Sequence, residues 1–136
     1  MTRLRHKDIA GLPANIRQQV PSAGRSKYGA TRIEVDGILF DSKAEAIYYE
    51  QLKLLRDAGS IRYFLRQVPF DLPGNTKYRC DFMIVDDAGV QYVDIKGHVT
   101  KEFKRAKKQV EALYPVEIHC LRCTSYKQGH FSEIRA

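Results

Sequence analysis

Residues 81–96 read Asp81-Phe82-Met83-Ile84-Val85-Asp86-Asp87-Ala88-Gly89-Val90-Gln91-Tyr92-Val93-Asp94-Ile95-Lys96, and their pattern decides the fold. Two apolar runs, Phe82 to Val85 and Val90 to Ile95, flank a polar break made of Asp86, Asp87, Ala88 and Gly89. Asp and Gly between β-rich runs specify a hairpin. Folding it brings Asp81 on one strand near Asp94 on the next. Side chains alternate along a strand, so Asp94 and Lys96 share one face while Val93 and Ile95 share the other. Two carboxylates and an ammonium then converge on one side of a sheet. Hard divalent cations such as Mg²⁺ take oxygen ligands of this kind. A lysine beside them can orient a water or neutralise a developing phosphate charge.

Outward from the hairpin, the pattern alternates helices and strands. Ser42 to Ala58 is the clearest predicted helix: Ser42 can cap it, Gly59 ends it, and Ala44, Ile47, Tyr48, Leu52 and Leu55 recur at helical spacing. Thr31 to Val35 and Ile38 to Phe40, joined by Asp36-Gly37, read as a small hairpin with a type I′ turn. Ile61 to Leu72 is strand-like with an expected break at Pro69. Lys101 to Tyr114 is a second amphipathic helix with Phe103, Ala106, Val110 and Leu113 as its apolar stripe, stopped by Pro115. Val116 to Leu121 is the last expected core strand, and the tail from Arg122 carries no signal. Helices over a central mixed β-sheet make an α/β fold. Residues 1–29, with Pro13, Pro21, scattered charges and only a short possible helix from Ala14 to Val20, are expected to form a flexible basic arm. Residues 30–136 form the single expected domain.

The chain has 136 residues, which suits one modest core, and 23 Lys and Arg against 16 Asp and Glu give a formal charge of +7. Such a balance favours a polyanionic partner, most simply nucleic acid. The bland alternative is solubility alone. No apolar run approaches a membrane span, and the N-terminus lacks a signal-peptide pattern, so a soluble intracellular protein is expected. Three cysteines, Cys80, Cys120 and Cys123, are too few for a disulfide framework. Cys120-x-x-Cys123 with His119 and His130 nearby is half a zinc pattern, but no second Cys-x-x-Cys accompanies it, and buried thiols are the simpler expectation.

Glu45 is the third candidate metal ligand, one turn into the first helix on the face of Tyr48, Tyr49 and Leu52. Ser42-x-x-Glu45 is equally a capping box, which needs no chemistry. Asp81 is disfavoured inside a strand, though an ion pair with Arg79 or Lys96 would account for it. Asp86 and Asp87 are turn residues. Gln67 lies on a strand near the site and either contacts a phosphate or faces solvent. His98 is a loop histidine, expected as a spectator. Lys101, Lys104, Arg105 and Lys108 begin shortly after Lys96, and that placement favours contacts to a phosphate backbone over mere solvation.

Glu45, Asp81 and Asp94-x-Lys96, in that order between helix and hairpin, resemble the PD-(D/E)XK nuclease superfamily. The spacing is similar to that of small archaeal Holliday-junction resolvases and phage-encoded endonucleases. Phe40-Asp41-Ser42-x-x-Glu45 and Arg66-Gln67-Val68-Pro69-Phe70 look like segments of small phage nucleases and, distantly, of the cutting subunit of some transposases. The resemblance covers about residues 30–121. It implies a restriction-endonuclease-like αβββαβ core in which Glu45, Asp81 and Asp94, with the Ile95 carbonyl, hold one or two Mg²⁺, with Mn²⁺ able to substitute. Lys96 would position or help deprotonate the attacking water, leaving 5′-phosphate and 3′-hydroxyl ends. Cys80 stands where the superfamily name places proline. The expected function is Mg²⁺-dependent DNA endonuclease, selective for branched or Holliday-junction DNA. The alternatives are a catalytically inactive DNA-binding or recombination accessory protein, and a sequence-specific restriction or transposon-end nuclease. Arg25, Lys27, Gln67, Lys101, Lys104, Arg105 and Lys108 are the expected DNA contacts. Symmetric cutting of two strands would call for a homodimer. The expected location is the cytoplasm of a bacterium or phage-infected host.

Overall fold

A computed structural model describes residues 32–135. The expected arm of residues 1–29, its helix near Ala14 to Val20, and the candidate contacts Arg25 and Lys27 lie outside the described residues. Seven strands and two helices follow in order: β1 (Ile33–Val35), β2 (Ile38–Phe40), α1 (Lys43–Asp57), β3 (Tyr63–Leu72), β4 (Thr76–Asp86), β5 (Gly89–Ile95), α2 (Lys101–Leu113), β6 (Ile118–Ser125) and β7 (His130–Ile134). β1 and β2 form a two-stranded sheet, and β3-β4-β5-β6-β7 form a five-stranded mixed sheet. Only β5 and β6 run parallel, with α2 as the connection between them. The fold is α/β, a central sheet flanked by helices. No helix among the described residues is long and apolar enough to cross a membrane.

The turns follow from their residues. Asp36 (φ 54°) and Gly37 (φ 77°) both take positive φ, which a type I′ turn requires. At the β4–β5 hairpin, Asp86 Oδ1 accepts the Ala88 and Gly89 N–H groups at 2.8 and 3.0 Å, the side chain closing the turn itself. Ser42 caps α1 by accepting the Glu45 N–H at 3.1 Å, and Thr100 caps α2 by accepting the Phe103 N–H at 3.1 Å.

One sequence expectation is corrected, and a stretch without a sequence signal proves structured. Pro69 does not break β3: the strand runs through it in unbroken register, Pro69 opposite Arg79. β3 is an edge strand, so the N–H that proline lacks costs no ladder hydrogen bond. The tail from Arg122 is also structured. β6 continues to Ser125 and hairpins into β7, with a bulge between Cys123 and Ser125. Buried Phe131 packs edge-on against Tyr48 at 5.1 Å between ring centroids, and Gln51 Nε2 donates to the Gly129 carbonyl at 2.9 Å. Both contacts clamp the hairpin onto α1.

The core lies in two layers. On β5 and β6 the alternation is regular: Val93, Ile95 and Leu121 pack in the layer that contains Ile47, Tyr48 and Leu52 of α1. Tyr92, Ile118 and Cys120 pack instead in the layer of Phe103 and Val110 of α2. On β3 and β4 the alternation fails at one point. Phe64, Phe82 and Ile84 belong to the α1 layer, whereas Val68, Phe70, Leu72, Tyr78 and Cys80, all likewise even-numbered, belong to the α2 layer. Strict period-two alternation would hold them on one face. The two strands therefore roll over between Phe64 and Val68, and between Cys80 and Phe82. Gln67 and Asp81 occupy the roll, and Gln67 has φ 52°, a left-handed conformation for a residue with a side chain.

Candidate active site

The roll places Asp81 and Asp94 side by side. Phe82 pairs with Val93, so the next step of the β4–β5 register sets Asp81 against Asp94. Asp81 is almost fully buried and both its oxygens are engaged: Oδ2 accepts the Ile95 N–H at 2.9 Å, and Oδ1 accepts Gln67 Nε2 at 3.3 Å. Asp94 is completely buried; neither carboxylate oxygen has a partner at hydrogen-bond geometry, although the Asp81 backbone N–H lies near enough to favour its charged form. Its one counter-charge is the Lys96 ammonium, 3.8 Å from Oδ1. That ammonium lies over the Phe103 ring at 4.8 Å, and the Lys96 side chain keeps about a third of its surface in solvent. The expected pairing of Asp94 with Lys96 on one face is met.

Glu45 completes the group from α1. It donates its backbone N–H to Ser42, yet its carboxylate returns no hydrogen bond to the cap among the described residues. Half of the capping box forms. The acid itself is buried and feels Asp81, Asp41 and Asp94 as repelling charges, with Arg66 opposing them. Arg66 is a site residue that the sequence reading did not single out. Its guanidinium stacks on Phe40 at 4.5 Å and lies 6.0 Å from the Tyr49 ring, with Nε buried and without a hydrogen bond. A cation directly after the apolar Tyr63-Phe64-Leu65 run, inside a strand, is the available signal.

Burial dominates the titration of all three acids. It pushes Glu45 up to about 8, helped by repulsion from Asp81. It pushes Asp94 up to about 6 against the attraction of Lys96 and, less strongly, of the Asp81 backbone N–H. It also raises Asp81, opposed by the Ile95 N–H, Lys96, Gln67 and Arg66. Cys80, next to Asp81, is pushed up to about 12 by burial, and its thiol points at the Phe82 and Val93 carbonyls, so it is no nucleophile.

The other candidates fall as follows. Gln67 is half-buried and turned onto Asp81 rather than onto solvent. Lys101, Lys104, Arg105 and Lys108 are all exposed on α2. His98 is exposed in the loop that leads to α2. Cys120 joins the α2 layer and Cys123 packs against the α1 layer, on opposite faces of β6, which rules out a common zinc ion for the two thiols.

Among the described residues, no three Asp, Glu, His or Cys side chains are gathered closely enough to hold a metal ion as they stand. The donor set nevertheless suits a hard cation. Asp94 holds two buried oxygens that no protein group meets at hydrogen-bond geometry, and the neighbouring acids are oxygen donors too. Such oxygens cost stability unless a positive ligand meets them.

No curated protein matches the chain. A family model does, over residues 25–128, a span that includes Glu45, Arg66, Gln67, Asp81, Asp94, Lys96 and the whole of α2. The chain therefore belongs to the family described as protein of unknown function (DUF1064).

Proposed function

We propose that this protein is a Mg²⁺-dependent endonuclease that hydrolyses phosphodiester bonds in DNA, branched or double-stranded. One observation carries the reading: Asp94 is fully buried with neither oxygen at hydrogen-bond geometry to a protein group, Asp81 lies across the strand from it, Lys96 stands 3.8 Å away, and Glu45 is near enough to feel its charge. The Lys96 ammonium at 3.8 Å is too distant to hydrogen-bond those oxygens, so the ion pair alone leaves them unsatisfied. A site that awaits a cation leaves them free.

Asp94, Asp81 and Glu45, with the Ile95 carbonyl, would hold the ion, and Mn²⁺ would serve in its place. Bound there, a divalent cation supplies charge to the scissile phosphate and acidity to a water. The remaining work falls to the chain's own residues. Asp81 is fixed through both oxygens, so its orientation is set before substrate arrives. Lys96 rests on Phe103 at the solvent edge beside Asp94, where its ammonium can orient a water or hold charge that develops on phosphate. Hydrolysis joins the water oxygen to phosphorus and breaks the bond to the 3′ oxygen, which leaves as a hydroxyl. Lys101, Lys104, Arg105 and Lys108 on α2 begin five residues beyond Lys96 and would grip the DNA backbone without reading bases.

The net charge of +7 supports a nucleic-acid partner. The deciding experiment incubates the protein with Mg²⁺ and end-labelled linear, flapped, splayed and four-way DNA. Nicks with 5′-phosphate and 3′-hydroxyl ends, absent with Asp94→Asn, are the expected result. Tight DNA binding with no cleavage in Mg²⁺ or Mn²⁺ would overturn the enzyme and leave an accessory DNA-binding protein.

A further inference from the structure

The geometry points to Gln67 as a positioning residue that aims Asp81 at the cation, an inference that rests on the metal-dependent reading above. Gln67 sits in the register step between Arg66, paired with Phe82, and Val68, paired with Cys80, so it lies opposite Asp81. It holds φ 52° in the middle of a ten-residue strand. A residue with a side chain in that conformation carries strain, and glycine would carry none. The strain has a local product. The strand rolls over at this residue, the Gln67 amide reaches Asp81 Oδ1 at 3.3 Å, and the Ile95 N–H holds Oδ2 at 2.9 Å. Two donors from the two flanking strands thus fix the carboxylate plane, and each oxygen keeps a lone pair for a ligand.

A purely structural role would need the turn in the backbone and not the amide. Glycine supplies the turn without the amide, and so separates the two roles. Asparagine also tolerates positive φ, but its amide is one methylene shorter and falls short of Asp81. Outer-shell partners of a ligand typically account for ten- to hundredfold in metal affinity or activity.

The test is Mn²⁺ titration calorimetry on the wild-type chain, Gln67→Gly and Gln67→Asn, with thermal melts of each. Gln67→Gly is expected to melt within about 5 °C of wild type while Mn²⁺ affinity falls about 10- to 100-fold. Gln67→Asn should show the same loss of affinity and takes over the decision if the glycine variant is unfolded. Cleavage by either variant should return toward the wild-type rate at saturating Mn²⁺, because the defect is in ligand orientation. Unchanged Mn²⁺ affinity in a folded variant overturns the positioning role and leaves the metal site standing. Absence of Mn²⁺ binding by the wild type overturns both.

Discussion

Replacing Glu45 by Gln should make the metal-free protein more stable at pH 8 and leave it almost unchanged at pH 4.5. The folded chain keeps the Glu45 proton up to about pH 8, whereas an exposed glutamate releases it near 4.5. Between those values the native state binds more protons than the unfolded chain, so native stability falls as pH rises through the window. Below it, both states are protonated and the group contributes nothing. At about 1.4 kcal/mol for each pH unit between the two, the ceiling at pH 8 is about 5 kcal/mol. The amide would not recover all of it. Asp81 and Asp94 remain buried, and the amide must be desolvated at the same position. A net gain of roughly 2 kcal/mol is expected, or about 10 °C in melting temperature for a domain of this size.

The assay is thermal unfolding in EDTA, followed by circular dichroism, for both proteins at pH 4.5 and 8. A Gln variant that melts at or below wild type at pH 8 would refute the reasoning, since Glu45 would then be a satisfied cap rather than a repelled member of a carboxylate group. An equal gain at both pH values would refute it too, because the effect would not come from charge. Mg²⁺ supplies a second arm: it should raise the wild-type melting temperature at pH 8 and raise that of the variant much less.

Lys96→Ala should bind DNA within about twofold of wild type yet cut 10²- to 10⁴-fold more slowly in single-turnover assays; cutting near the wild-type rate would remove Lys96 from the chemistry. Reversing Lys104 and Lys108 to Glu should weaken binding to all DNA sequences alike and lower the slope of log affinity against log salt by about 2. A change confined to some sequences would mean that α2 reads bases. Phe131→Ala should cost about 3–5 kcal/mol in urea unfolding, since the ring is buried against Tyr48; a loss below about 1 kcal/mol would mean that β7 is only loosely docked.

The parts of the fold legible in the sequence are those where local signals agree with tertiary packing. The Asp86–Gly89 turn, the Ser42 cap and the stripe of Ile47, Tyr48, Leu52 and Leu55 each needed only their own neighbours to be read. β7 was illegible because its case for being a strand is tertiary: one aromatic, Phe131, docks on a helix more than seventy residues upstream. Pro69 misled because proline is compatible with a strand only at an edge, and edge position is a property of the sheet. Asp81, Asp94 and Lys96 were visible as a group because hairpin register follows from the turn. The duties of Arg66 and Gln67 were not, since neither the stacking on Phe40 nor the positive φ has a sequence signature.

Three irregularities of this fold fall along one line. A left-handed glutamine, an engaged buried aspartate and an unsatisfied buried aspartate occupy successive strands along one row, Gln67 to Asp81 to Asp94, which ends against Cys120 on β6. Elsewhere in the five-stranded sheet the main departure is the bulge between Cys123 and Ser125 at the far edge. Local rules broken together along one line, each at a cost to the free protein, are the pattern expected where stability has been yielded to a site. The rollover of β3 and β4 is part of that cost. It lets the α1 layer and the α2 layer draw on the same two strands, so Glu45 from one layer and Lys96, resting on Phe103 of the other, meet at a single row of carboxylates. A flat sheet of the same strands would leave those helices' charges on opposite faces. The architecture therefore brings Glu45 within reach of the charges of Asp81 and Asp94, and on the proposed reading a cation among them would turn that repulsion into binding.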